Sequence, residues 1–131
     1  MVFSVGRRRI AARAEEVGGV WPWTATIPVP SETPFIQAVM RRGQEIFPVY
    51  DLAGRLNVTV RGNAPLCVIA KRHDGTMAIR VDEDIPSLRT VVAEDLRLER
   101  AQEPDQVGVC RIDQEDVPVY SLRRLGLTSP G

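Results

Sequence analysis

Apolar and polar residues alternate along most of the chain, in short stretches separated by glycine, proline and charged turns. This alternation predicts strands at 2–5, 9–12, 21–27, 35–41, 46–50, 66–70, 76–82, 85–92, 107–112 and 117–120. Apart from one helical turn at 14–17, no helical period persists beyond about two turns. Many short strands with frequent turns are typical of barrels and sandwiches, so the sequence predicts an all-β fold.

One phrase occurs twice: QEIFPVYDL at 44–52 returns as QEDVPVYSL at 114–122, and the surrounding segments 38–52 and 108–122 align without a gap. Each unit is interpreted as a strand, a polar turn and a returning strand that carries a proline. We interpret the phrase as a duplication that produces two similar β half-structures. Chance similarity between two hairpins is the alternative.

The end of each unit predicts a short helix. Asp51 and Ser121 occupy the same position, and both residue types cap helices because a side-chain oxygen accepts an amide hydrogen bond. The predicted helices are 52–56 and 122–125, the second ending at Gly126. Because proline has no amide to donate, each unit's proline is predicted to face away from a neighbouring strand.

Composition argues against two classes of partner. The 131 residues include 17 Lys plus Arg and 17 Asp plus Glu, so the chain lacks the positive surplus that drives binding to nucleic acid. No apolar run approaches the roughly 20 residues that cross a bilayer, and the first residues lack the charge order of a signal peptide. We therefore expect a cytoplasmic protein with no membrane insertion.

Candidate chemistry is sparse. Cys67 and Cys110 lie in separate apolar strands, which predicts buried, reduced thiols. His73 is the only histidine, and it falls in a predicted Asp-Gly turn, which is a poor setting for catalysis. The acidic run 82–84 alternates faces on a strand, so its carboxylates cannot jointly hold a metal there. We expect no enzyme activity, metal or cofactor.

Several segments together resemble the CheW-like domain family. They are FSVG at 3–6, IPVP at 27–30, PFIQAV at 34–39, FPVYDL at 47–52 and the hairpin 66–82, which ends in Val81-Asp82. The resemblance covers nearly the whole chain. It implies a single domain over 1–131 with two intertwined, SH3-like, five-stranded β-barrels, interleaved in sequence, and short helices.

The same resemblance implies an adaptor. Family members couple the cytoplasmic tips of methyl-accepting chemoreceptors to the regulatory domain of a CheA-type histidine kinase, through the groove between the barrels and through barrel ends. The residues that this implies for partner binding surround the proline-rich loop and the following strand: Ile27, Phe35, Ile36, Val39, Arg41, Arg42 and Gly43. Ordinary core for the apolar residues and solvated turn charges for the arginines are the alternatives.

Two departures from the family pattern affect this site. Ala38 replaces a glycine, and Met40-Arg41-Arg42-Gly43 stands where the family has Asn-Leu-Arg-Gly. Four residues rather than three then separate Gly43 from Pro48, so that alignment from Pro48 puts Gly43 at the arginine position. The role of Arg42 therefore stays open, because a one-residue shift on a strand reverses the face of a side chain.

A second function class is a regulatory domain that senses a small molecule held between the barrels. An apolar pocket with converging polar groups favours the sensor, whereas a flat or open groove favours the adaptor.

Overall fold

The computed structural model describes residues 1–72, 75–98 and 105–125, and it confirms the all-β class. The strands are β1 Val2–Val5, β2 Arg8–Ala11, β3 Val17–Pro22, β4 Thr26–Pro28, β5 Ile36–Arg42, β6 Glu45–Tyr50, β7 Leu66–Arg72, β8 Gly75–Val81, β9 Leu96–Arg97, β10 Gln106–Ile112 and β11 Glu115–Tyr120. The helices are α1 Leu52–Leu56 and the 3-10 helices Ala14–Glu16 and Ala93–Asp95. His73 and Gly126, at a predicted turn and a predicted helix stop, lie outside the described residues.

Two sheets carry the architecture. The first has the order β1-β2-β11-β10-β9 and joins the two ends of the sequence, whereas the second has the order β3-β7-β8-β6-β5-β4 and comes from the middle. The second sheet therefore has six strands instead of the expected five. No strand ladder among the described residues closes either sheet into a full barrel.

The duplicated phrase is a duplicated structure. Val39 faces Pro48 across β5 and β6, and Val109 faces Pro118 across β10 and β11, with a register irregularity at the same place in both hairpins. β6 then runs parallel to β8, and β11 runs parallel to β2. In both cases the parallel pairing begins only after the proline, which agrees with the missing amide donor.

Three sequence predictions need correction. The predicted strand 21–27 is interrupted, since β3 ends at Pro22 and β4 begins at Thr26. The predicted strand 85–92 is reduced to one bridge between Ser87 and Val2, next to Pro86, which cannot donate to a ladder. Residues 122–125 form a turn instead of a helix.

The second helix is replaced by a long-range contact. The amide of Leu122 donates to Oε1 of the buried Glu16 at 2.7 Å. The acceptor for this amide is therefore the carboxylate of a residue far away in the sequence. In the first repeat the local cap forms as predicted, because Oδ1 of Asp51 accepts from the amide of Gly54 at 3.0 Å. The same motif thus begins a helix in one repeat only.

The largest core cluster packs one face of each sheet against the other. The first sheet and its C-terminal turn supply Phe3, Val5, Ile10, Tyr120, Leu122 and Leu125; the second supplies Tyr50, Val68, Met77, Ile79 and Val81. Leu52 of α1 packs into the same cluster and is 1% exposed. The helix therefore positions the end of β6 over the junction of the sheets.

Asp82 joins the two sheets directly. It follows β8, is fully buried, and accepts three backbone hydrogen bonds: from Gly6 at 2.9 Å, from Arg7 at 2.8 Å and from Arg61 at 2.7 Å. Gly6 and Arg7 form the β1–β2 turn, and both have positive φ. A Cβ on Gly6 would lie 2.5 Å from that of Val58, so only glycine fits the turn against this loop.

We expect Asp82→Asn to lower the free energy of unfolding by about 3 kcal/mol, because an amide loses one acceptor oxygen and turns a donor toward backbone N–H groups. Urea denaturation measures the change. Asp84→Asn, at the exposed acid two residues on, is the control and should stay within about 0.5 kcal/mol of wild type. Equal effects of both substitutions would contradict the anchoring role of Asp82.

Candidate partner-binding surface

An apolar surface crosses the strands β4, β5 and β6. The register places Ile27 opposite Val39, and Val39 opposite Pro48. The next pair on the same side joins Arg41 to Ile46. Ile27 is 56% exposed and Ile46 is 65% exposed. We call these five residues the outer face.

The opposite side of β5 and β6 is core. Met40 and Phe47 alternate with the outer-face residues along β5 and β6, and both are buried. Arg42 belongs to this inner side: its guanidinium carbon lies 3.5 Å from the ring centroid of Trp21. The ring of Trp21 in turn packs at 6.0 Å from that of Phe47. Arg42 therefore stacks on an aromatic ring on the side away from Arg41.

Phe35 and Ile36 lie where the proline-rich loop enters β5. Phe35 has a φ of 62°, and its ring meets that of Tyr50 edge-on, with 6.2 Å between centroids. Ile36 is partly buried and packs against the core between the sheets. The structure therefore places Ile36 in a packing role, while Phe35 stays 38% exposed at the entrance.

Gly43 shapes the tip of the hairpin. Its φ is 61°, which glycine adopts without the steric cost of a side chain, and a Cβ there would meet no atom within 4 Å. Nε of Arg41 donates to the carbonyl oxygen of Gly43 at 3.0 Å. Because this bond holds the Arg41 side chain at the turn, it gives the outer face a positioned positive charge.

Beside the outer face lies a groove of about 480 Å³. Ile36, Ile46 and Pro48 line one wall, and Met77 and Arg72 line the other. The Nη1 atom of Arg72 donates to the carbonyl oxygen of Leu125 and contacts Sδ of Met77 at 3.2 Å. The β6 wall therefore combines apolar side chains with the carboxylate of Glu45, and the hairpin wall carries the positive charge of Arg72.

The structure brings together three of the seven predicted residues, Ile27, Val39 and Arg41, on one face. It packs the partly buried Ile36 against the core, and it places Phe35 and Gly43 next to the two ends of β5 and Arg42 on the other side of the strand. Ile46 and Pro48 were missed, although the alternation of Phe47 and Val49 in the repeated phrase indicates that their neighbours point outward. The binding roles themselves stay predictions.

Both cysteines are buried in strands. Burial raises the pKa of the Cys67 thiol to about 11 and also raises the pKa of Cys110, so both thiols stay protonated near neutral pH and are poor nucleophiles. In residues 1–72, 75–98 and 105–125, no three His, Cys, Asp or Glu side chains lie close enough to hold a metal. No helix in these ranges is long and apolar enough to cross a membrane.

Comparisons with known proteins agree with this architecture. Residues 1–125 match the family model described as CheW-like domain. The crystal structure of the scaffolding protein TtCheW from Thermoanaerobacter tengcongensis is similar, with a TM-score of 0.74 and 19% sequence identity. The match covers 94% of this chain and 88% of that chain, and at this identity it establishes the fold alone. No curated protein matches the chain.

We expect Arg42→Ala to lower the free energy of unfolding by about 1 kcal/mol, because it removes the cation–π contact with Trp21 and uncovers the ring. Thermal or urea denaturation checks this value. Arg41→Ala, at the adjacent arginine on the outer face, is the matched control and should change stability by less than about 0.5 kcal/mol. The reverse order of the two effects would contradict the assignment of faces.

Proposed function

The chain belongs to the CheW-like domain family, and from that premise we propose that it is an adaptor in bacterial chemosensory signalling. It couples the cytoplasmic tip of a methyl-accepting chemoreceptor to the regulatory domain of a CheA-type histidine kinase. It acts in the cytoplasm by protein–protein contact, without catalysis, metal or cofactor. We further propose that residues 1–131 form one functional domain built from the two sheets.

The outer face is the observation that carries this proposal. Ile27 and Ile46 expose more than half of their surface, and the other side of β5 and β6 is closely packed core. Val39 and Pro48 join them into one apolar row, and Arg41 supplies a positioned charge at its end. Apolar cores with an arginine nearby are common at protein interfaces.

The adjoining groove extends the same surface. A helical receptor tip laid along β6 would meet Ile46 and Pro48 first, and its polar side chains would face Glu45 and Arg72 in the groove. This is recognition of an amphipathic helix by a groove with one apolar row and charged groups beside it. The kinase regulatory domain is then assigned to a separate surface, at an end of one barrel, so that both partners bind at once.

The packing between the sheets supports the adaptor over the small-molecule sensor. The sensor needs space between the two half-structures, and large side chains occupy it. Phe3, Ile79 and Leu122 meet there and are at most 2% exposed. The open groove at the outer face instead favours a macromolecular partner.

We expect Ile46→Asp to weaken binding of a receptor cytoplasmic fragment by about tenfold or more, because it places a charge in the apolar row. Fluorescence anisotropy with the labelled fragment measures affinity, and a pull-down tests the kinase regulatory domain in parallel. Ile85→Asp alters an isoleucine that is 87% exposed and is not part of the outer face, so it should bind as wild type does.

Unchanged receptor affinity of Ile46→Asp would remove the receptor site from the outer face. Binding of the wild-type chain to neither partner would defeat the adaptor proposal and leave the fold untouched.

A further inference from the structure

The two repeats contribute to the inner faces of the two sheets, and these inner faces correspond position by position. Shared register makes Cys110 of β10 the equivalent of Met40 in β5, and Val117 of β11 the equivalent of Phe47 in β6. Val2 of β1 likewise corresponds to Ile69 of β7. Val2 pairs with Ala11, which also pairs with β11, and Ile69 pairs with Ala78, which also pairs with β6. In all three pairs the first sheet has the smaller side chain.

The segment that covers the inner face also differs between the two sheets. In the second sheet, β3 pairs along β7 and carries Trp21, which packs with Trp23 against the cluster of Met40 and Phe47. In the first sheet the corresponding contact along β1 is the single bridge of Val2 to Ser87. The described residues contain no aromatic side chain packed on that cluster. Smaller side chains and a shorter cover leave a cavity of about 190 Å³.

The cavity has an apolar interior. Its walls include Ala11, Val107, Ile112 and Val119 from three strands. The thiol of Cys110 also lines it; burial raises the pKa of this thiol, so it is uncharged at neutral pH.

Two of the charged groups near the cavity have partners. The amino group of Met1 donates to the carbonyl oxygen of Ala12 at 3.0 Å, and Arg89 forms an ion pair with Asp113. Arg13 also lines the cavity, so a ligand would meet hydrocarbon along the strand walls and a positive charge at Arg13.

We propose that this cavity is a binding site for a small, uncharged, apolar molecule of the size of a single aromatic ring or a short branched alkane. An apolar cavity of roughly 150 Å³ stays dry and takes up benzene, because water finds no hydrogen-bond partners there. The cavity in the first sheet exceeds that volume and has apolar strand walls; unlike that enclosed cavity it is open to solvent, so an apolar ligand would displace water from these walls. Entry is at Leu88 and Leu98, which are 71% and 77% exposed.

This site is separate from the outer face, and its occupancy does not depend on the proposed adaptor role. A groove also opens beside Ala38 and Val49 of the second sheet, but the positions of Cys110 and Val117 are filled there by the larger Met40 and Phe47. Substituting first-sheet residues with their second-sheet equivalents should therefore close the cavity with side chains that the fold already accommodates.

Methyl-resolved NMR of the full chain during titration with benzene tests the proposal. The expected result is saturable shifts at the methyl groups of Val2, Ile112 and Val119. Cys110→Met, which installs the second sheet's residue, should weaken benzene binding by about tenfold or more. Val2→Ile is a second filling variant, for use if Cys110→Met does not fold. Ile85→Ala, at an isoleucine that is 87% exposed and belongs neither to the cavity nor to the outer face, is the control and should bind benzene as wild type does.

Three outcomes would overturn the proposal. The first is the absence of saturable shifts in the wild-type chain. The second is an unchanged benzene affinity in a folded filling variant. The third is a response confined to the methyl groups of Leu88 and Leu98, which would identify a surface that docks a partner's side chain instead of a ligand cavity.

Discussion

Asp82 holds the two sheets in one arrangement. Its carboxylate is fully buried at the end of β8 and accepts amide protons from the β1–β2 turn and from the loop after α1. A buried carboxylate without these donors would be costly, so the turn, the loop and the strand end must meet at one point. The central core then forms between faces whose relative position is already set.

The duplicated hairpin presents different features in its two copies. Both copies share register, irregularity and proline position, yet their surroundings differ. The β5–β6 copy pairs with the edge strand β4 and presents Ile46 outward, while Trp21 and Phe47 pack on its inner side. The β10–β11 copy keeps smaller residues on its inner side. One repeat thus offers a surface and the other a cavity, although the backbone plan is the same.

Local pattern was enough to predict most strands, α1 and the equivalence of the two hairpins, since each depends on alternation, turn residues or a cap within a few positions. Contacts between distant residues could not be predicted. Glu16 accepts a hydrogen bond from the amide of Leu122, which lies 106 positions away, and this contact stands where a second helix was expected. Asp82 reaches Gly6 across 76 positions, and nothing near either residue signals the partner.

The candidate site was likewise predictable only where local pattern is enough. Ile27 and Val39 could be found because apolar residues flank the proline-rich loop, but the pairing of strands decides that Ile46 and Pro48 complete their row. Arg41 and Arg42 look equivalent in the sequence. Only the strand register and the position of Trp21 separate an arginine that faces outward from one that stacks on the inner side.

The central claim is that this chain transmits receptor state to a kinase through contact surfaces alone. Reconstitution of a chemoreceptor, a CheA-type kinase and this chain, with kinase autophosphorylation as the readout, tests it most directly. The account predicts that the receptor changes the autophosphorylation rate only when the chain is present. A rate that responds to the receptor equally with and without the chain, or responds in neither case, would contradict it.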